Sequence, residues 1–290
     1  MRGDFRAPLT WTSLPRYLFN VMMHKTLRSN GCRLSYYVEG QGPSVVLIHG
    51  TSVGGSAWRP QLDALVPHFR CLWFDNRGYG QSLPIPAALS VEDMGADVLA
   101  LMDAESMDRA HLIGHSLGGA IAVSAASQAP SRVLSLSLLN TFVSGKTPLR
   151  LDPLLLWKNL RSMIGTLSMR RRALLELMMP ASYLAQHNVD KLAQHVSALF
   201  GREIGTLPRV AMKQIAAMSR FDSAALLPKL KGIPTLVMSA RYDLLTPPSE
   251  GKRLAEGLNG RYVELSDAAH AAPIQCPEEV NALLLSHLRG

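Results

Sequence analysis

The stretch HLIGHSLGGA, His111 to Ala120, sets Ser116 between Gly114 and Gly118, directly after a short apolar run. In a chain with this much serine and glycine the pattern G-x-S-x-G recurs by chance, so its meaning depends on its surroundings. Those surroundings read as strand, turn and helix. HLIG is apolar, and SLGGAIAVSAAS is a small-residue helix ended by Pro130. Such a turn pushes a serine hydroxyl clear of its neighbours, over a helix N-terminus that favours developing negative charge. Gly114, Gly118 and Gly119 lack a Cβ, so the chain can turn tightly and the helix can pack close to the sheet.

Outward from this point the chain alternates as a parallel sheet demands. KTLRSNGCRLSYYVE reads as a hairpin turning at Asn30-Gly31, and SVVLIHG as a strand buried on both faces. A helix is expected around Trp58 to Val66, then a strand in FRCLWFDNRG, then a helix capped by Ser90-x-x-Asp93. RVLSLSLLN is another strand. From about Phe142 to Leu230 the pattern is helical, with helices starting at Asp152-Pro153 and at Pro208. Strands resume at IPTLVMSA and GRYVELSD, and a last helix starts near Pro277. The expected class is α/β: a mostly parallel sheet flanked by helices over 25–141 and 231–290, with a helical cap over 142–230. Residues 1–24 are expected to form a helical extension, its Leu14, Leu18, Val21 and Met22 face packing on the protein's own body.

Of the 290 residues 47% are hydrophobic, enough for a sizeable core and too many for a disordered chain. The three cysteines, Cys32, Cys71 and Cys276, show neither metal-ligand spacing nor a disulfide framework, which points to small buried hydrophobes in a reducing compartment. Charges and prolines interrupt the first 25 residues, so no secretory signal is read there, and no stretch reads as a membrane span. A cytoplasmic location is expected. The net charge of +8 is concentrated in the cap: residues 141–232 hold 14 Lys and Arg against 5 Asp and Glu. Without interleaved aromatics or a known motif this reads as a solvated helical surface rather than a nucleic-acid site.

A serine nucleophile needs a base. His270 is the best placed of nine histidines, because it follows RYVELSD at the carboxyl end of the last strand. The base needs a carboxylate, and Asp243 ends TLVMSARYD, again just past a strand. Asp222 and Asp267 remain competing acids. The order Ser116, Asp243, His270 is the one this architecture uses. Oxyanion donors are expected from the backbone N–H of Leu117 and of Thr51, within the small-residue loop HGTSVGGSAW. His49 reads as a loop-stabilising residue. Pocket positions are expected at Ser52, Trp58, His115, Trp157 and Met163. No cofactor and no metal ligand are expected.

On HGTSVGGSAW, DNRGYGQS, GHSLGG, ARYDLLTP and AAHAAPIQCPEEV the chain resembles the α/β-hydrolase superfamily over about residues 25 to 290, with the cap between the sixth and seventh strands. Ala240 and Ala269 stand where the family usually has Gly. The resemblance implies a structural role for Asp75 and Arg77. AWRPQLDAL, RVLSLSLLN and RYVELSDAAH are similar to 3-oxoadipate enol-lactonases and related esterases. The capped carbon–carbon-bond hydrolases typically carry a Gly-Pro-Gly element that HGTSVGG lacks.

The expected function is a serine esterase acting on small to medium apolar esters, with cap methionines (Met163, Met169, Met178, Met179, Met212, Met218) forming an adaptable wall. A lactonase or carbon–carbon-bond hydrolase on a carboxylated substrate is the alternative, with a cap arginine such as Arg161 or Arg202 binding the acid. A slow-turnover receptor that retains the triad is the alternative of another class. A homodimer is left open.

Overall fold

The continuous apolar runs form one eight-stranded sheet in the computed structural model, which describes residues 24–150 and 152–290. The strands are β1 (His24–Ser29), β2 (Cys32–Glu39), β3 (Ser44–Ile48), β4 (Arg70–Phe74), β5 (Ala110–His115), β6 (Val133–Leu139), β7 (Thr235–Ala240) and β8 (Arg261–Leu265). Their order across the sheet is β1-β2-β4-β3-β5-β6-β7-β8. β1 and β2 run antiparallel to their neighbours, and every pair from β4 to β8 is parallel. Successive side chains of a strand point to opposite faces. Accordingly Val46 and Ile48 join one buried cluster, while Val45 and Leu47 join the other.

The first face is covered by α2 (Val91–Ala104), α3 (Leu117–Gln128) and α9 (Pro248–Leu258); the second by α1 (Arg59–Leu65) and α11 (Pro277–Leu288). α2 begins where Ser90 accepts a hydrogen bond from Asp93 N–H, the cap expected from Ser-x-x-Asp. The antiparallel edge strand β1 alternates exposed and half-buried, as one covered face requires. The expected helix over 1–24 lies outside the described residues, except that His24 already belongs to β1.

Between β6 and β7 the chain makes α4 (Pro153–Met163), α5 (Leu167–Met178), α6 (Ala181–Ala185), α7 (Val189–Phe200) and α8 (Ala211–Arg220). Asp152, Thr166 and Asn188 cap three of them with their side chains. The helix expected to start at Pro208 starts at Ala211, because Pro208 to Val210 form the preceding turn. The excursion is closed at its base by a bridge between Ser144 and Asp222, and Phe142, Val143, Leu227 and Leu230 pack into the main core. A third cluster joins the cap (Leu175, Met178, Leu192, Val196, Phe200) to Val53, Ala57, Ala271 and Ile274 in the segments that follow β3 and β8. The cap therefore sits over the carboxyl ends of the strands. A short helix, α10 (Ala272–Gln275), leads into α11.

The apolar run of α4 does not sink into the core. Leu155 is its buried residue, while Leu156, Trp157, Leu160 and Met163 are exposed. α4 packs on α5 along a single seam, so a helix apolar on nearly all sides leaves most of its surface outside. No helix among the described residues is long and apolar enough to cross a membrane.

Candidate active site

β5 delivers the chain to Ser116 and α3 takes it away, so the serine stands at the carboxyl edge of the sheet. Its φ of 55° and ψ of −122° are strained for a residue with a side chain. The turn is held by Ser116 N–H to Leu139 O at 2.9 Å and by Thr141 Oγ1–H to Ser116 O at 2.7 Å. Sterics explain the glycines. A Cβ on Gly118 would lie 2.0 Å from Ile48 O, and one on Gly114 2.4 Å from Gly118 O. A Cβ on Gly119 would meet the Thr141 side chain at 2.6 Å.

The loop after β8 brings His270 to the loop after β7, where its Nδ1 lies 2.8 Å from Asp243 Oδ2. Both groups are buried. An ionised carboxylate only accepts, so Nδ1 carries the proton and Nε2 keeps its lone pair. Thr246 Oγ1–H donates to Asp243 Oδ2 at 2.6 Å, and the N–H groups of Leu245 and Thr246 donate to Oδ1 at 2.8 and 2.9 Å. Burial pushes the Asp243 pKa up, but the His270 charge and these hydrogen bonds outweigh it and hold the carboxyl below its ordinary value. Asp222 instead closes its own turn onto Ala224 N–H, and Asp267 accepts from Ser182 Oγ, so neither reaches His270. Among the described residues Ser116 Oγ makes no hydrogen bond to His270, a separation that apo sites often show before substrate tightens them. The two come together through their neighbours: the His115 ring is 4.9 Å from the His270 ring, and its Nε2–H donates to His270 O at 2.8 Å.

His115 is buried, and its burial, with the nearby His270 charge, pushes its pKa down to about 3. It is a neutral strut. His49 is likewise held neutral by burial, and its Nδ1 accepts from Gly50 N–H at 2.9 Å. That matches a loop-stabilising residue. The loop it holds runs against Ser116: a Cβ on Gly50 would lie 3.0 Å from Ser116 Cβ. Of three consecutive N–H groups, Gly50's goes to His49 and Ser52's goes to Gln214 Oε1 at 2.9 Å. Thr51's has no partner among the described residues. Leu117 N–H belongs to the first turn of α3, where N–H groups lack intrahelical acceptors.

The expected pocket positions divide. Ser52 and His115 lie in or beside these loops. Trp58 is wholly buried in the core beneath His49, 5.0 Å ring to ring, and is packing rather than pocket wall. Trp157 and Met163 are 58% and 61% exposed on α4. The cap methionines divide as well: Met178, Met179 and Met218 are buried, and Met163, Met169 and Met212 are exposed. A cavity of about 950 Å³ opens between the cap and the loop after β7. It is lined by Arg150, Lys158, Met179, Leu184, Tyr242 and Asp243 among others, but not by Ser116 or His270. Of the arginines in question, Arg161 pairs with Glu176 and Arg202 donates to Ser52 O. Asp75 accepts from Gly55 and Gln81 N–H, and Arg77 is in a buried pair with Asp97, both structural links.

Thr246 was legible in principle, as a hydroxyl three residues after Asp243. Gln214 and Arg202 were not, because they touch the loop across 162 and 150 residues of sequence.

A profile of the alpha/beta hydrolase fold matches residues 43–277. The chain is 32% identical over 258 residues to a protein of Rhizobium rhizogenes strain K84 named "Putative carbamate hydrolase RutD", covering 85% of this chain and 93% of that one. The enol-lactonase structure from Burkholderia xenovorans LB400 superposes with a TM-score of 0.77 at 27% identity, covering 92% of this chain and 100% of the other. A thermophilic esterase from Thermogutta terrifontis gives a TM-score of 0.74 at 25% identity, covering 92% and 98%. With one sheet in the order above, helices on both its faces, a serine on a strained strand-to-helix turn and a matching profile across most of its length, this chain belongs to the α/β-hydrolase family.

Proposed function

We propose that the protein is a serine hydrolase that cleaves carboxylic esters of small to medium apolar substrates through an acyl-enzyme, with Ser116, His270 and Asp243 as its triad. The observation that carries this reading is the Asp243–His270 bond at 2.8 Å, which leaves Nε2 as the free basic nitrogen, together with Ser116 on its strained turn.

His270 Nε2 takes the Ser116 Oγ proton as Oγ attacks the ester carbonyl. The negative charge on the carbonyl oxygen falls to the Thr51 and Leu117 N–H groups. The C–O bond to the alcohol breaks, and the alcohol leaves with the proton from Nε2. Water then attacks the acyl-enzyme, giving its proton to Nε2, and Ser116 is released with the acid. Asp243 stays ionised and stabilises the imidazolium.

A second substrate class, a carbamate, is favoured by the name of the relative at 32% identity. The same steps serve a carbonyl flanked by nitrogen, with an amine or ammonia leaving. Ser116→Ala tests the mechanism. With a short-chain p-nitrophenyl ester, kcat is expected to fall by about 10³-fold or more; retention of most of the activity sinks it. Acetate, butyrate, octanoate and carbamate esters in parallel define the substrate class.

A further inference from the structure

We infer that the cap is part of the catalytic apparatus: Gln214 and Arg202 grip the peptide groups on either side of Ser52 and so position the Thr51 N–H. This rests on the reading of Ser116 as nucleophile and Thr51 as oxyanion donor.

Ser52 has a φ of 60°, a left-handed conformation that a side chain disfavours and that surrounding contacts must hold. Both contacts come from the cap. Gln214 Oε1 accepts from Ser52 N–H at 2.9 Å, and Arg202 Nε–H donates to Ser52 O at 2.7 Å. Gln214 is wholly buried on α8, and its amide orientation is forced, since a backbone N–H must meet the oxygen. Arg202 is tied to its own segment by Nη1–H to Glu203 O at 2.9 Å and to Thr206 O at 2.6 Å. Further along, Gly54 N–H donates to Phe200 O at 3.4 Å and Ser56 Oγ–H to Leu199 O at 2.7 Å.

The peptide planes make the consequence specific. The plane between His49 and Gly50 is fixed at both ends: Asn76 Nδ2–H donates to His49 O at 2.7 Å, and Gly50 N–H meets His49 Nδ1. The plane between Thr51 and Ser52 is fixed by Gln214. The plane between them carries Thr51 N–H and has no hydrogen bond of its own among the described residues. Its orientation is set by the two it joins. An unanchored Ser52 lets that plane rotate, and an oxyanion donor works only when it is aimed in advance. A substrate ester can still bind by its apolar groups, so the loss falls on the transition state.

The test is kinetic. Gln214→Leu removes the acceptor at similar volume, and Gln214→Glu restores an acceptor oxygen. With a p-nitrophenyl ester, Q214L is expected to lower kcat about 10- to 100-fold with KM within about threefold, and Q214E to recover most of that loss. The Ki of a boronic acid that mimics the tetrahedral intermediate should rise in step with the fall in kcat/KM. Arg202→Met should give the same kcat-selective loss, and Arg202→Lys, which keeps a donor, less of it; these two carry the test if Q214L fails to fold. A kcat within threefold of wild type in Q214L, a loss confined to KM, or Q214E falling as far as Q214L overturns the inference. Ser116→Ala separates the two claims. If it stays active, the triad reading fails; if it is inactive while Q214L is unimpaired, the grip on Ser52 alone fails.

Discussion

At the residue scale the proposed mechanism depends on one proton's position. His270 must carry it on Nδ1, and an ionised Asp243 enforces that tautomer because it can only accept. Asp243→Asn offers an amide donor instead and allows the wrong tautomer. It is expected to lower kcat by about 10³- to 10⁴-fold with little change in KM, measured in the same ester assay. The glycines of GHSLGG make a different kind of demand. Gly118→Ala places a methyl 2.0 Å from Ile48 O, and both are backbone-anchored, so one must move. The expected cost is about 2 kcal/mol or more, read as a lower midpoint in urea. The strand-end positions of Ser116, Asp243 and His270 were legible in sequence, because the alternation of strand and helix fixes such places. Trp157 and Met163 stand exposed on α4, and in sequence an apolar residue on a cap helix looks the same whether it faces a substrate or the solvent.

At the element scale, buried polar links join segments that the hydrophobic core alone would leave free to slide. Arg77, in the loop after β4, makes a bidentate bond to Asp97 on α2 at 2.5 and 2.6 Å, and Ser29 of β1 donates to the same carboxylate at 2.7 Å. Both charged side chains are at most 3% exposed. Asp97→Asn leaves the Arg77 charge buried without its partner, an expected loss of about 3–5 kcal/mol in the unfolding free energy. An Arg77→Met, Asp97→Leu double variant should recover part of it, because two apolar groups leave no uncompensated charge. The cap uses its basic residues similarly. Arg150, Arg170, Arg202, Lys213 and Arg220 end on backbone carbonyls, and Arg171 pairs with Glu203. The local excess of positive charge that stands out in the sequence thus has a structural use: it closes loop carbonyls that no strand or helix satisfies.

At the scale of the whole molecule, packing the site between cap and sheet puts neutral histidines in the interior. An unfolded chain takes up a proton on His115 near the ordinary value of 6.5, whereas the folded chain resists until about 3. Protons therefore favour the unfolded state. The stability is full above pH 6.5 and falls as pH drops toward 3, at up to about 1.4 kcal/mol per pH unit for that group. His49 acts in the same direction. The Asp243 contribution is lost only lower still, as pH falls through a carboxyl pKa held below its ordinary 3.8. The unfolding free energy at pH 5 is expected to be at least about 1 kcal/mol below that at pH 7. Equal values at the two pH points would mean that these imidazoles are not held neutral, and His115→Gln should flatten the slope.

Periodicity and turn chemistry are local, and they carried the reading far. HLIG, the serine turn, the glycines and the Ser90 cap all follow from interactions within a few residues. The sheet's alternation then brings Ser116, Asp243 and His270 to one edge without further information. Contacts between distant segments leave no such trace. Whether Arg202 meets a substrate or Ser52 O, whether α4 is buried, and which N–H of HGTS stays unpartnered depend on how the cap docks on the loops. Docking is set by the summed shape of many side chains, Phe200, Val196 and Leu192 against Val53 and Ala57 among them. No short stretch contains that sum. In Ser52 both sources meet: its place in the loop is written in the sequence around it, and its conformation is imposed by residues from the cap.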